Sequence, residues 1–227
     1  MTATRKNQLI LLATMAVFCL ILCGIRIAFT GSLNYFFLNW NLFLAFLPLL
    51  FTTLLLISGD FAQKRWVKFS VLGSWLLFFP NAPYILTDIF HLRGGSDAPM
   101  WFDLILILTY AWTGLIAGFI SLFDIEQIVF KDTPRTTKII LSIGLIFVTA
   151  FGIYLGRYLR FNSWDLFNHP GALFSEITDR FIHPFRHTRT WGVTLGLGVL
   201  LNFMYWSLRT LFSGQQKNFG LIKSTNE

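Results

Sequence analysis

Two short stretches of the chain hold most of the side chains able to do chemistry. The first carries Asn81, Tyr84, Asp88, His91 and, slightly later, Asp103. The second carries Arg157, Arg160, Asn162, Trp164 and Asp165. Asp88 and His91 are three apart, so on a helix they share a face. Such a pair can serve as a general base with its orienting carboxylate, as half of a metal site, or as a surface hydrogen bond. Arg157 and Arg160 have the same spacing. A guanidinium offers a planar fork suited to phosphate or carboxylate, but arginines at a helix end also suit the macrodipole and snorkel to interfaces. Asp88, Asp103 and Asp165 are their natural partners. This leaves two readings, a structural ion-pair cluster and an anion-binding site. In the second, Asp88, His91 and Asp165 would do acid–base work. Asn81, Tyr84, Asp103, Arg157, Arg160, Asn162 and Trp164 would then bind the substrate.

The elements that must position these residues belong to a membrane. Of 227 residues 55% are hydrophobic and 13% are charged, about half the charge of a soluble domain. The apolar residues fall in runs long enough to cross the roughly 30 Å of a bilayer core. Six spans are expected, near residues 9–29, 40–58, 67–90, 101–123, 137–159 and 191–212. The chain therefore reads as an all-α bundle in one integral membrane domain, 1–227. The first run is too long for a cleaved signal segment and is followed by no small-residue cleavage site, so it reads as an anchor. Cys19 and Cys23 sit on it, four apart, and are expected as thiols buried in the lipid phase that a regular helix holds poorly for a disulfide.

The third span contains Pro80-Asn81-Ala82-Pro83. Each proline removes a backbone donor and crowds the preceding turn, so a break is expected there. Asn81 could satisfy the freed backbone groups, or the break could build a binding site. Between spans five and six, Leu173, Phe174, Ile177, Phe181, Ile182 and Phe185 recur at helical spacing, opposite Glu176, Asp179, Arg180 and His183. This predicts an amphipathic helix lying in the interface. Gly114–Gly118, Gly152–Gly156 and Gly192–Gly196 are Gly-x-x-x-Gly pairs in the last three spans, expected to bring those spans into mutual contact. His183 and His187 are separated by Pro184, and His169 precedes Pro170. No metal site is assigned, and the cofactor, if any, is unknown.

Eleven of the 18 basic residues share the amino-terminal side if every span crosses: Arg5, Lys6, Lys64, Arg65, Lys68, Lys131, Arg135, Lys138, Arg209, Lys217 and Lys223. The positive-inside rule then puts both termini in the cytoplasm. A re-entrant third span would reverse everything after it and give an equal tally. In either case two crossings, spans four and five, separate 80–103 from 157–189, so these polar segments share one face. The net charge of +7 is ordinary face bias plus the arginine cluster and does not suggest a nucleic-acid partner.

Leu77-Phe78-Phe79-Pro80-Asn81-Ala82-Pro83-Tyr84, Thr87-Asp88 and His91-Leu92, with Gly156-Arg157, Asn162-Ser163-Trp164-Asp165 and Asn41-Leu42-Phe43-Leu44-Ala45, resemble the membrane-protein family known as domain of unknown function 1361. The resemblance implies a bacterial inner-membrane protein and brings no activity with it. No His-Glu-x-x-His, Gly-x-Ser-x-Gly, Walker-type or Cys-x-x-Cys motif is present. Three functions stay open: a membrane-embedded enzyme acting on an anionic lipid or lipid-linked substrate, a transporter or channel built on the broken span, and an accessory subunit whose polar cluster only holds the fold. Membrane lipids are the expected partners.

Overall fold

The computed structural model describes residues 3–59, 64–92 and 97–224, with side chains to Leu211. Ser96 and the side chains of Lys217 and Lys223 lie outside the described residues. Within them the chain is helical: α1 (Ala3–Thr30), α2 (Phe37–Ile57), α3 (Arg65–Phe78), α4 (Asn81–Tyr84), a 3-10 segment Ile85–His91, α5 (Met100–Ile128), α6 (Arg135–Tyr158), α7 (Asp165–Asn168), α8 (Pro170–Ile182) and α9 (Thr188–Ser224). Six segments are long and apolar enough to cross a membrane, with the third formed jointly by α3, α4 and the 3-10 segment, Arg65–His91. The protein is a multi-pass membrane protein.

The helices run past the ends expected from the apolar runs. α1 begins at Ala3 and α5 continues to Ile128, because charges that looked like span termini are neutralised inside the bundle. Arg5 pairs with Asp124 at 2.9 Å and Arg209 with Glu126 at 2.8 Å. Thr52 also donates to Asp124, and Tyr205 and Ser142 donate to Glu126.

The third span is interrupted without being unwound. Phe79, Pro80, Tyr84 and Ile85 all keep right-handed helical dihedrals, so no turn sends the chain back. Asn81 Nδ2 donates to the Phe78 carbonyl at 2.9 Å, which the Ala82 amide leaves free by turning to Phe79. The segment is buried in protein, as non-helical backbone at membrane depth must be.

Its closest neighbours explain two of the three glycine pairs. A Cβ on Gly114 would lie 2.9 Å from the Ala82 carbonyl oxygen, and one on Gly118 would lie 2.7 Å from Ala82 Cβ. Across the segment, a Cβ on Gly152 would meet Pro80 at 3.1 Å, and one on Gly156 would meet Tyr84 at 3.1 Å. The expectation that the glycines bring spans four, five and six together is thus corrected. α4 fits into a cradle between α5 and α6, and the small residues receive it. Gly192 and Gly196 face open space, and α9 packs on α6 instead at Gly198, against Phe147.

Cys19 and Cys23 are free and buried in the protein core beside Leu38, Leu42, Tyr110 and Ala111. They face α2 and α5, where the Cys19 sulfur lies 3.5 Å from Thr113 Oγ1.

Between spans five and six, α8 lies against α6 and α9 through Phe181, whose ring meets Phe151 and Trp191. Arg180 is buried and bonded to Glu176. His187 donates to Asp179 at 2.6 Å, and that hydrogen bond holds the exposed Asp179 carboxyl below its ordinary value. Phe174, Phe181, Ile182 and Phe185 remain exposed, an apolar rim suited to the lipid interface.

Candidate functional site

Asp88 stands at the centre of the polar end of the bundle, 1% exposed. The 3-10 segment presents it towards α6, where Arg157 pairs with it through Nη2. The same guanidinium donates from Nε to Thr87 Oγ1 at 2.9 Å and lies 4.3 Å above the Tyr84 ring. Asn41 of α2 donates Nδ2 to the other Asp88 oxygen at 2.9 Å. His91 Nδ1 is 3.7 Å from Asp88 and 3.5 Å from Arg157 Nη1. Its imidazole is half exposed and rests against Phe37. Three spans are therefore joined through one buried carboxylate. The contact between Asp88 and Arg157 also places the two polar stretches at the same end of the molecule, as two crossings require.

Three expected members lie elsewhere. Asp103 is fully buried but faces α1, where it takes the Arg26 guanidinium at 2.7 Å; Arg26 also lies over the Tyr35 ring. Arg160 does not share a face with Arg157, because α6 ends at Tyr158 and helical spacing ends with it. Arg160 instead takes a left-handed conformation, φ 64°, and the next amide, Phe161 N–H, returns to the Leu155 carbonyl at 3.2 Å. Its side chain is exposed and forms no ion pair among the described residues. Asp165 accepts the Asn162 backbone N–H at 2.6 Å, which fixes the turn before α7. The expected five-residue cluster of Asp88, His91, Arg157, Arg160 and Asp165 is thus a three-residue cluster.

Beside the cluster lies a cavity of about 380 Å³ between α2, the third span and α6, covered by the 161–164 loop, α7 and α8. Its walls are mostly apolar, including Leu44, Leu76, Phe151, Leu155, Leu173 and Ile177. One region is polar and carries Asn41, Asn81, Tyr84, Asn162 and Ser163, with Trp40 and Trp164 at its side. The loop is anchored to the interrupted span, since Ser163 Oγ donates to the Leu77 carbonyl at 2.9 Å and accepts from Asn81 Nδ2 at 3.4 Å. Neither Asp88 nor Arg157 lines the cavity; they stand behind Asn41 and Tyr84. The volume is at the small end of the roughly 300–1,000 Å³ found for ligand sites.

A family model described as protein of unknown function DUF1361 matches residues 40–204. The chain belongs to this family. No curated protein and no solved structure matches it.

The matched region contains the Asp88 network and every cavity-lining residue. Three side chains that shape the site, Asn41, Thr87 and Ser163, stand in the blocks that carry the family resemblance but have no role in the residue-by-residue reading. Asn41 carried a usable signal, as an amide inside an otherwise apolar span. Arg26 carried a stronger one, since a charge within a membrane helix demands a partner. Thr87 and Ser163 gave none, because hydroxyls are common in membrane helices and loops. Among the described residues no group of three or more His, Cys, Asp or Glu side chains is placed to hold a metal ion.

Proposed function

We propose that this protein binds a lipid or lipid-linked molecule in the cavity between spans two, three and five. The tail would lie along Leu44, Leu76, Phe151, Leu155 and Leu173, and the head would reach the amides beside Tyr84 and Trp164. The observation that carries this reading is one cavity whose wall joins a hydrogen-bonded patch of amides and hydroxyls to a larger apolar lining. A bilayer lipid is the molecule that matches both. We assign the polar end to the extracytoplasmic face and both termini to the cytoplasm of a bacterial inner membrane: the family resemblance implies that membrane, and the helical course of the third span favours the count of Lys and Arg in which every span crosses.

The geometry gives less support to the sequence expectation of an anionic head held by arginines. Arg157 already serves Asp88, Thr87 and the Tyr84 ring, and Arg160 lies outside the cavity. A transport path through the broken span is also less favoured, because Asn81 satisfies the freed carbonyl and the segment is packed between α5 and α6.

One observation favours a second reading, in which the bound molecule is also transformed. His91 is half exposed beside a buried carboxylate, an arrangement suited to moving a proton.

Native mass spectrometry of the protein released from nanodiscs tests both readings. The wild-type protein should retain lipid, and Val148→Trp combined with Leu173→Trp, which fills the cavity, should abolish that retention. Equal retention by the filled variant would contradict binding in this cavity. Conversion of the retained lipid by wild type but not by His91→Gln would establish the second reading.

A further inference from the structure

The hydrogen-bonding sense of the cavity's polar end specifies the headgroup. Asn41 gives its NH₂ to the Asp88 carboxylate, and Asn81 gives its NH₂ to the Phe78 carbonyl and Ser163 Oγ. A carboxylate and a carbonyl only accept, so neither amide can be flipped without losing its bond. Each therefore keeps its own carbonyl oxygen for whatever enters the cavity. Ser163 has spent its single proton on the Leu77 carbonyl, so towards a ligand it too can only accept. Asn162 is exposed, and its side-chain amide has no partner among the described residues, so it can both donate and accept. The wall thus presents acceptors at Asn41, Asn81 and Ser163 beside donors at Tyr84, Asn162 and the indoles of Trp40 and Trp164, and it carries no charged side chain.

An anionic head would meet only neutral donors on this wall, with no cation to balance its charge. A cationic head would find no carboxylate on the wall, since Asp88 lies behind Asn41 and is matched by Arg157. An uncharged head bearing several hydroxyls fits both conditions. It supplies donors to Asn41 Oδ1, Asn81 Oδ1 and Ser163 Oγ, and the flat rings of Trp40 and Trp164 can cover the apolar faces of a sugar.

On this basis, and resting on the lipid-binding reading above, we infer that the site selects a neutral glycolipid: a sugar carrying free hydroxyls, joined to hydrocarbon chains of which one enters the cavity along its apolar wall.

The test uses the full chain in nanodiscs of phosphatidylcholine doped with equal molar amounts of monoglucosyl-diacylglycerol, phosphatidylglycerol and phosphatidylethanolamine, all with the same acyl chains. Native mass spectrometry reads the lipid retained after release. The glucosyl lipid should be enriched about tenfold over the other two doped lipids, the size expected of one to three net hydrogen bonds. Asn162→Leu leaves the backbone bond to Asp165 intact and should reduce the enrichment several-fold without changing the total lipid held. The thermal unfolding midpoint of Asn162→Leu should match that of the wild type, which separates loss of a headgroup contact from a folding defect. Preferential retention of phosphatidylglycerol would overturn the inference in favour of an anionic head, and of phosphatidylethanolamine in favour of an ammonium. Retention of all doped lipids in their bulk ratio would overturn headgroup selection while leaving the lipid-binding cavity standing. Loss of all retention would overturn both. Free glucose added at the same molar amount should not compete, and competition by it would show that the sugar alone, without the chain, is the ligand.

Discussion

Arg157 shows how one guanidinium can organise the ends of three spans. It pairs with Asp88, donates to Thr87 and covers the Tyr84 ring, while Asn41 holds the opposite carboxylate oxygen. Removing one partner of a buried pair strands the other charge, at a cost of about 3–5 kcal/mol. Arg157→Ala should therefore lower the thermal unfolding midpoint in detergent sharply. Replacing both partners, Asp88→Leu with Arg157→Met, should cost less than Arg157→Ala alone, because no charge is left buried. A double variant as unstable as the sum of the singles would mean that the pair is not coupled. Arg160 makes the opposite case. Its left-handed backbone, φ 64°, is one that a side chain occupies at a cost of about 1–2 kcal/mol and glycine does not. Arg160→Gly should raise the unfolding midpoint slightly and leave lipid retention unchanged. A loss of stability would show that the Arg160 side chain does more than end the helix.

At the scale of elements, the interrupted third span is the centre of the fold. Its prolines were legible in the sequence as a break, and Asn81 as the residue able to satisfy it. The destination of the glycines was not legible. A Gly-x-x-x-Gly pair specifies that something approaches closely, and the nearest guess was another long helix. In the structure a four-residue helix fills the space on both sides, with Ala82 against Gly118 and Tyr84 against Gly156. A side chain added there overpacks a filled interior, typically at about 1–3 kcal/mol. Gly118→Leu and Gly156→Leu should destabilise the protein on thermal unfolding, whereas Gly192→Leu and Gly196→Leu should be tolerated, since nothing lies within 4 Å of a Cβ at either. Equal damage at all four positions would restore the simple picture of spans four, five and six packed on one another. The interfacial helix was legible from its period. The direction of its faces was only partly so, because Leu173 and Ile177 turn into the cavity while Phe174 and Phe185 turn outward.

At the scale of the molecule, four Arg–carboxylate pairs among the described residues tie different spans together, Arg5–Asp124 and Arg209–Glu126 near one end and Arg26–Asp103 and Arg157–Asp88 near the other. The number of spans followed from apolar length alone, a property of composition that tertiary structure does not alter. The pairings did not follow, because a charge in a sequence announces the need for a partner but not its address. Asp103 was expected beside Arg157 or Arg160, and the arginine it meets, Arg26, lies on α1. The proposed sidedness rests on the charge distribution with a third span that crosses. Single cysteines at Ser96 and Ser175, on a Cys19→Ala, Cys23→Ala background, should react with an impermeant maleimide from the same side, the outside of intact cells. Labelling from opposite sides would break the two-crossing argument, and labelling of both only after lysis would turn the whole polar end to the cytoplasm.

The central claim, that the cavity between spans two, three and five holds a lipid tail, is tested most directly by photo-crosslinking in nanodiscs. The probe is a glucosyl-diacylglycerol carrying a diazirine midway along one acyl chain, with the adducts mapped by peptide mass spectrometry. The account predicts adducts on the cavity wall, at Leu76, Phe151 or Leu173, that disappear when Val148 and Leu173 are replaced by Trp. Adducts confined to outward-facing positions such as Phe69 and Phe203, unchanged in the filled variant, would contradict it.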